Sequence, residues 1–95
     1  MDSSQAIGFF DSGLGGLSVL ASAARRLPHE RFIYLGDSAN APYGTKSDSE
    51  VLALTSRAVS QLAARGIKAL VIACNTATGA AVASLRAQYH FPIIG

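Results

Sequence analysis

The stretch that decides the fold is IGFFDSGLGGLSVL, residues 7–20. An apolar run gives way to a glycine-rich turn, and apolar residues then recur at helical spacing until Pro28. This order predicts a buried strand, a tight turn and a helix. The same succession of apolar run, small polar turn and helical pattern returns at residues 32–62 and again at residues 69–89.

Local signals mark the ends of the predicted helices. Ser47 and Glu50 fit a capping box at the start of the second helix, and Gly66 is placed to close it. The third apolar run, residues 69–73, leads directly into a cysteine and an alanine-rich helix that ends near Tyr89. We therefore predict three successive strand–helix units.

Continuous apolar strands that alternate with helices indicate an α/β fold with a doubly wound parallel sheet in βαβαβαβ order, covered on both faces. Residues 91–95, FPIIG, are predicted to begin a fourth strand. We expect this strand to lack a partner because the sequence stops where the strand begins. Residues 1–95 are accordingly expected to form the front part of something longer.

The composition excludes several classes of protein. The chain has 95 residues, 49% of them hydrophobic and 15% charged, which fits one globular domain and neither disorder nor a coiled coil. Its apolar runs of about five residues are far shorter than a membrane span, and Arg25-Arg26 is the only basic doublet. We therefore expect neither a membrane nor a nucleic acid as partner. One cysteine and no signal-peptide pattern favour the cytoplasm.

Three polar clusters are predicted to follow the carboxyl ends of the strands, where ligands bind in open α/β sheets. They are Asp11-Ser12, Asp37-Ser38 with the nearby Pro42-Tyr43-Gly44, and Cys74-Asn75-Thr76. Their shared placement predicts a binding site at this edge of the sheet.

Cys74 has two interpretations. A lone cysteine is usually a small buried hydrophobic residue. Cys74, however, is predicted at the N-terminus of a helix, where orphan amides and the helix dipole favour a thiolate, and Asn75 and Thr76 could hold a carboxylate. His29 and His90 are expected near helix ends on the surface, so a cysteine–histidine pair is unsupported.

Asp11 also has two interpretations, a helix cap or an acid that serves a ligand approaching over the nearby glycines. The turn at residues 13–16, with Asp37 after the next strand, imitates a dinucleotide-binding fingerprint. Ser18 stands where that pattern needs its third glycine, and Asp11 would repel a pyrophosphate. Nucleotide binding therefore remains a minor alternative.

Four motifs together resemble those of the glutamate racemase family. They are FDSGLGGLSV at residues 10–19, YLGD at 34–37, PYG at 42–44 and ACNTA at 73–77, in family order and spacing. The resemblance covers essentially the whole chain from Ile7. It implies that residues 1–95 are the N-terminal α/β domain of a two-domain, pseudo-symmetric racemase.

The resemblance further implies an isomerase that interconverts L- and D-glutamate without a cofactor or metal. Two thiols on opposite faces of the substrate Cα would exchange its proton, supplying D-glutamate for peptidoglycan and hence for cell-wall biogenesis and cell shape. It implies that Cys74 is one catalytic thiol, and that Asp11 assists it and engages the substrate ammonium. The residues it assigns to holding the substrate carboxylates and amine are Ser12, Tyr43, Gly44, Asn75 and Thr76.

One departure from the family limits this chain. The second cysteine of the family, in a Gly-Cys-Thr-His type of motif, has no counterpart here. We therefore expect half of an active site, inactive alone, with a homodimer among the assemblies that the resemblance allows. The alternative function is an acidic amino-acid or nucleotide-binding module without catalysis.

Overall fold

A computed structural model describes residues 5–13 and 15–95. Two parts of the sequence predictions lie outside the described residues. They are Leu14 of the predicted turn and residues 1–4, where the sequence shows no signal-peptide pattern. Strands and helices alternate along the described chain, as the sequence predicts. The elements in chain order are β1 (Ala6–Asp11), α1 (Leu17–Arg26), β2 (Phe32–Gly36), α2 (Asp48–Ala64), β3 (Ile67–Ile72), α3 (Asn75–Gln88) and β4 (Ile93–Ile94).

The four strands form one parallel sheet in the order β2-β1-β3-β4. Phe10 of β1 lies opposite Leu35 of β2 on one side and Ile72 of β3 on the other. The chain adds β2 on one side of β1 and then crosses over to add β3 on the other side. The order in which strands are added therefore reverses at β1, which is the topological switch point of the sheet. Right-handed crossovers then place helices on opposite faces, which confirms the predicted doubly wound α/β fold.

The predicted ends of α2 are confirmed. The Glu50 backbone N–H donates to Ser47 Oγ at 3.2 Å, and Ser47 Oγ lies 3.2 Å from Glu50 Oε1. At the other end, Gly66 has φ of +79°, a left-handed conformation that glycine adopts without a steric penalty. Local sequence signals therefore suffice to start and stop this helix.

The core lies between the sheet and the helix pair α2 and α3. Phe10 and Leu70 of the sheet and Val59, Leu62 and Leu85 of the helices are almost completely buried. Each such side chain contributes about 1.5–3 kcal/mol by leaving water. The remaining buried positions of α2 lie on this same face. Among the described residues, no helix is both long and apolar enough to cross a bilayer.

The opposite face of the sheet is thinly covered. None of the residues of α1 is buried, and Leu17 and Val19 are each 45% exposed. Phe9 is still shielded, with its ring edge-on to Phe32 at a centroid distance of 5.8 Å. Within the described residues, full coverage is therefore confirmed only on the side of α2 and α3.

The expectation that the fourth strand lacks a partner is wrong. β4 pairs with β3, with Ile93 opposite Leu70, and the Leu70 N–H already donates to the Pro92 carbonyl at 2.9 Å. Arg86 of α3 adds a 2.8 Å hydrogen bond from Nη2 to the Ile93 carbonyl. The crossover through α3 returns the chain alongside β3, and β4 becomes the outer strand, with Ile94 60% exposed.

Candidate active site

Backbone hydrogen bonds bring the three polar clusters to one edge of the sheet. The Ala73 N–H donates to the Phe10 carbonyl at 2.8 Å, and the Asp37 N–H donates to the Asp11 carbonyl at 2.9 Å. Backbone pairing with β1 thus continues one residue beyond the ends of β2 and β3, so the residues that follow these strands are neighbours. Cys74 comes directly after Ala73, at the topological switch point between β1 and β3.

Cys74 is the N-cap residue of α3, as the sequence predicts. Its Sγ accepts a hydrogen bond from the Ala77 N–H at 3.5 Å, and its carbonyl accepts from the Thr78 N–H at 2.9 Å. The side chain is 9% exposed, among the apolar residues on the side of α2 and α3. The positive end of the helix dipole faces the sulfur, an arrangement that stabilises negative charge there.

Asp11 binds the backbone at the start of α1, where the N-cap residue is Gly16 rather than Asp11 itself. Its side chain is 5% exposed, and Oδ2 accepts a 2.7 Å hydrogen bond from the Gly16 N–H. A Cβ on Gly16 would lie 3.0 Å from Asp11 Cβ and 3.2 Å from Ala73 Cβ. Gly16 therefore allows α1 to approach the strands closely, whereas a Cβ on Gly13 would meet no atom within 4 Å. Of these two glycines, only Gly13 leaves open space for a ligand.

Tyr34 and Gly36 of β2 shape the turn after β1. The Tyr34 hydroxyl donates to the Gly13 carbonyl at 2.8 Å, and a Cβ on Gly36 would collide with that same carbonyl oxygen. Burial, together with the charge of Asp11, raises the pKa of Tyr34, which keeps the hydroxyl a donor. Sequence reasoning missed this role because a strand pattern does not tell where a tyrosine hydroxyl ends.

Asp37 holds the segment that follows β2, residues 38–45, which contains two short 3-10 turns and a cis peptide bond before Pro42. The Tyr43 hydroxyl donates to Asp37 Oδ2 at 2.7 Å. Asn40 Nδ2 lies 2.9 and 3.0 Å from the two Asp37 oxygens. Both carboxylate oxygens are therefore engaged by residues of this segment.

The Tyr43 side chain is 2% exposed and packs against Phe10 at a ring-centroid distance of 6.1 Å. Burial raises the pKa of Tyr43, and so do the hydrogen bond to Asp37 and the charges of Asp37 and Cys74, against an opposing effect of Arg57. The phenol therefore stays neutral. Because its side chain is buried, this part of the segment meets solvent through its backbone.

Several predicted site residues have free side chains or open space. Ser12 and Thr76 are half-buried and Asn75 is exposed, and none of the three side chains makes a hydrogen bond to another described residue. Gly44 is exposed, and a Cβ there would meet no atom within 4 Å. Across residues 5–13 and 15–95, no three histidine, cysteine or acidic side chains are grouped so that they could hold a metal ion.

The geometry does not favour a dinucleotide at the glycine-rich turn. The Asp11 carboxylate already accepts from Gly16 at the start of α1, where a pyrophosphate would have to bind. Asp37, the candidate ribose ligand, is engaged by Asn40 and Tyr43. Two cavities of about 100 and 210 Å³ open between β2 and α2, and neither is lined by Asp11 or Cys74.

Fold and site together define an α/β domain that carries a thiol, Cys74, and a carboxylate, Asp11, at the topological switch point of a doubly wound sheet. The sequence profile of the family described as Asp/Glu/hydantoin racemase matches residues 15–95, so the chain belongs to that family. The resemblance seen in its motifs is thereby confirmed.

Glutamate racemases are among its similar proteins. One from Clostridium botulinum strain Kyoto, type A2, is 62% identical over 94% of this chain and 35% of its own length. The crystal structure of an isoform from Bacillus anthracis matches with a TM-score of 0.95 and 41% identity, over 99% of this chain and 35% of that one.

A third relative carries a ligand. The structure of glutamate racemase from Francisella tularensis in complex with D-glutamate matches with a TM-score of 0.92 and 35% identity, over 97% of this chain and 35% of that one. The chain thus spans about a third of the length of the relatives it matches.

Proposed function

We propose that this chain supplies one half of the active site of a glutamate racemase. The observation that carries the proposal is the position of Cys74, which caps α3 beside the end of β1 in a chain of the racemase family. The chain matches only about a third of each glutamate racemase, so the second half of the site must come from residues outside these 95. Residues 1–95 then form one α/β domain of a two-domain enzyme.

In this proposal Cys74 is a catalytic acid/base group. As a thiolate it removes the α-proton from one face of glutamate, and the electron pair stays on Cα as a carbanion. A second thiol, outside this chain, gives a proton to the opposite face, which inverts the centre and leaves the atoms of the substrate unchanged in number. The α-proton is very weakly acidic, so a well-placed base and stabilisation of the developing charge supply the rate. No step in this scheme uses a cofactor.

The polar groups around Cys74 are proposed to hold the substrate. Asp11 engages the ammonium group and assists Cys74 electrostatically. The side chains of Asn75 and Thr76 and the N-terminus of α3 are suited to a carboxylate, since they combine free donors with the positive end of a helix dipole. Ser12 and the backbone of Tyr43-Gly44 complete the site from the other two segments.

The biological role follows from the substrate. D-Glutamate produced in the cytoplasm serves peptidoglycan synthesis, and through it cell-wall biogenesis and cell shape. A homodimer is compatible with this proposal, because a second copy of the enzyme could cover the exposed apolar residues Leu17 and Val19 of α1. Glutamate is the only ligand assigned to this site.

The test uses a chimera in which this chain replaces the matching third of the Clostridium botulinum racemase. We expect it to racemise glutamate in both directions, measured by circular dichroism, and to introduce deuterium at Cα in D₂O. Cys74→Ser and Cys74→Ala should abolish racemisation while leaving the fold intact, because each changes a single side chain at a strand end. A matched control is Ser84→Ala, an exposed position in the second half of α3, away from the site.

Each outcome is decisive. A chimera that folds and binds D-glutamate without racemisation or deuterium exchange would favour the alternative of an acidic amino-acid-binding module. Racemisation that persists in Cys74→Ala would contradict the catalytic role of this thiol.

A further inference from the structure

We propose that Asp37 is a positioning residue of this site: it touches no substrate, and it fixes the backbone at Tyr43-Gly44 by holding the Tyr43 hydroxyl and Asn40. The inference rests on the proposed function, because it assigns a role within the same site. The residues that it joins are the end of β2, the segment 38–45 and the end of β1.

The first support is the number and direction of hydrogen bonds on Asp37. Its carboxylate accepts from the Tyr43 hydroxyl at 2.7 Å and from Asn40 Nδ2 at 2.9 and 3.0 Å. Its own N–H donates to the Asp11 carbonyl at 2.9 Å. An ionised carboxylate only accepts hydrogen bonds, which suits a group surrounded by donors from one short segment. Asp37 thus ties that segment to the strand that carries Asp11.

The second support is that Tyr43 is held at both ends of its side chain. The ring lies in the core against Phe10, and the hydroxyl lies on Asp37. Next to this fixed residue, Gly44 faces open space, and the Lys46 N–H closes the turn on the Tyr43 carbonyl at 3.0 Å. The Gly44 backbone is therefore open to a ligand, and the buried side chain of its neighbour Tyr43 holds it in place.

The third support is the charge environment of the tyrosine. Burial is the main cause of the raised pKa of Tyr43, and the hydrogen bond to Asp37 reinforces it. Two further groups act on this phenol: Cys74 also raises the pKa of Tyr43, and Arg57 lowers it. A neutral phenol that donates to Asp37 keeps a fixed orientation, whereas a phenolate would be repelled by that carboxylate.

The experiment compares Asp37→Ala, Asp37→Asn and Tyr43→Phe in the active chimera. We expect Asp37→Ala to raise the KM for glutamate about tenfold with a smaller change in kcat, since misplaced binding groups weaken substrate positioning. Asp37→Asn should recover most of this loss, because its amide oxygen still accepts from the Tyr43 hydroxyl. Asp48→Asn is the matched control for charge, as Asp48 is exposed in the first turn of α2.

Tyr43→Phe keeps the buried ring and removes only the hydroxyl. If Asp37 acts through Tyr43, this variant should raise KM to a similar extent, and the double variant Asp37→Ala/Tyr43→Phe should be no worse than either single one. Additive effects would overturn the proposal. An unchanged KM in Tyr43→Phe would overturn it even if Asp37→Ala did not fold.

A readout that needs no activity separates this inference from the proposed function. Hydrogen exchange at the Lys46 amide should become about tenfold faster in Asp37→Ala and in Tyr43→Phe, while the amides of α3 keep their protection. Equal protection in the variants and the parent would refute the role of Asp37, whether or not the chimera racemises glutamate. Loss of racemisation in the unmodified chimera, with the exchange difference retained, would instead refute the proposed function alone.

Discussion

The substitution Asp11→Asn separates a structural role of Asp11 at the start of α1 from a catalytic role of its carboxylate. The structure shows that Asp11 Oδ2 accepts a 2.7 Å hydrogen bond from the Gly16 N–H at the start of α1. Asparagine keeps an amide oxygen that can accept the same hydrogen bond from the Gly16 N–H. This hydrogen bond therefore survives the substitution, and only the negative charge is lost.

The effect on stability can be worked out from the same contacts. Replacing a charged acceptor by a neutral one costs about 1 kcal/mol, and the lost attraction to the helix dipole about 0.5 kcal/mol. Asp11 is only 5% exposed, so removing its charge also relieves a desolvation cost of similar size. We expect the two to cancel within about 1 kcal/mol. Asp11→Ala, in contrast, leaves the buried Gly16 N–H unpaired, which costs about 1–3 kcal/mol.

The assays are thermal unfolding and racemisation in the chimera. Asp11→Ala should lower the Tm by about 5 °C, whereas Asp11→Asn should change it little. Asp11→Asn should lower kcat/KM by roughly 10²-fold or more, the usual scale for a positioned acid/base group. A rise in KM would identify pairing with the substrate ammonium, and a fall in kcat would identify assistance to Cys74.

The reasoning would be refuted by full activity in Asp11→Asn. In that case Asp11 only accepts the hydrogen bond from the Gly16 N–H, and its proposed role in the site is wrong. A large loss of stability in Asp11→Asn would contradict the cancellation argued from the Gly16 hydrogen bond.

The same geometry predicts the outcome of four further changes. Gly44→Ala should leave stability unchanged and lower kcat/KM about tenfold if substrate approaches there. Gly79→Ala on α3, where an added Cβ also meets no atom, should add about 1 kcal/mol of stability and leave activity unchanged. Calorimetry and initial rates check both variants. Gly36→Ala should cost about 1–3 kcal/mol in denaturant unfolding, because its Cβ would collide with the Gly13 carbonyl. Tyr43 has a raised pKa, so its contribution to stability is complete below about pH 10, the value for an unfolded chain, and falls as pH rises further. Denaturant midpoints measured across this range should decline less steeply in Tyr43→Phe, and equal slopes would contradict the prediction.

The sequence predicted the elements because their signals are local. Apolar runs, the Ser47–Glu50 capping box and Gly66 act within a few residues of chain, and the structure has the elements where they indicate. The same holds for Cys74 at the start of α3. A chain that alternates buried strands with helices has few ways to pack other than a parallel sheet, so the fold class followed as well.

The order of strands decided what the sequence left open. β4 was expected to be unpaired, yet it lies beside β3, since pairing depends on where the α3 crossover returns the chain. The cover over the α1 face was expected to be complete, yet Leu17 and Val19 are half-exposed.

The sequence by itself determined which residues are available for chemistry and at which edge of the sheet they stand. Only the tertiary structure decided what each side chain does there: Asp11 accepts from Gly16, Tyr34 holds the Gly13 carbonyl, and Asp37 holds Tyr43. These partners come from different segments, up to 21 residues apart in the chain for Tyr34 and Gly13. The physical reason is that a hydrogen bond depends on distances of a few tenths of an ångström, which the packing of strands fixes and a sequence pattern does not.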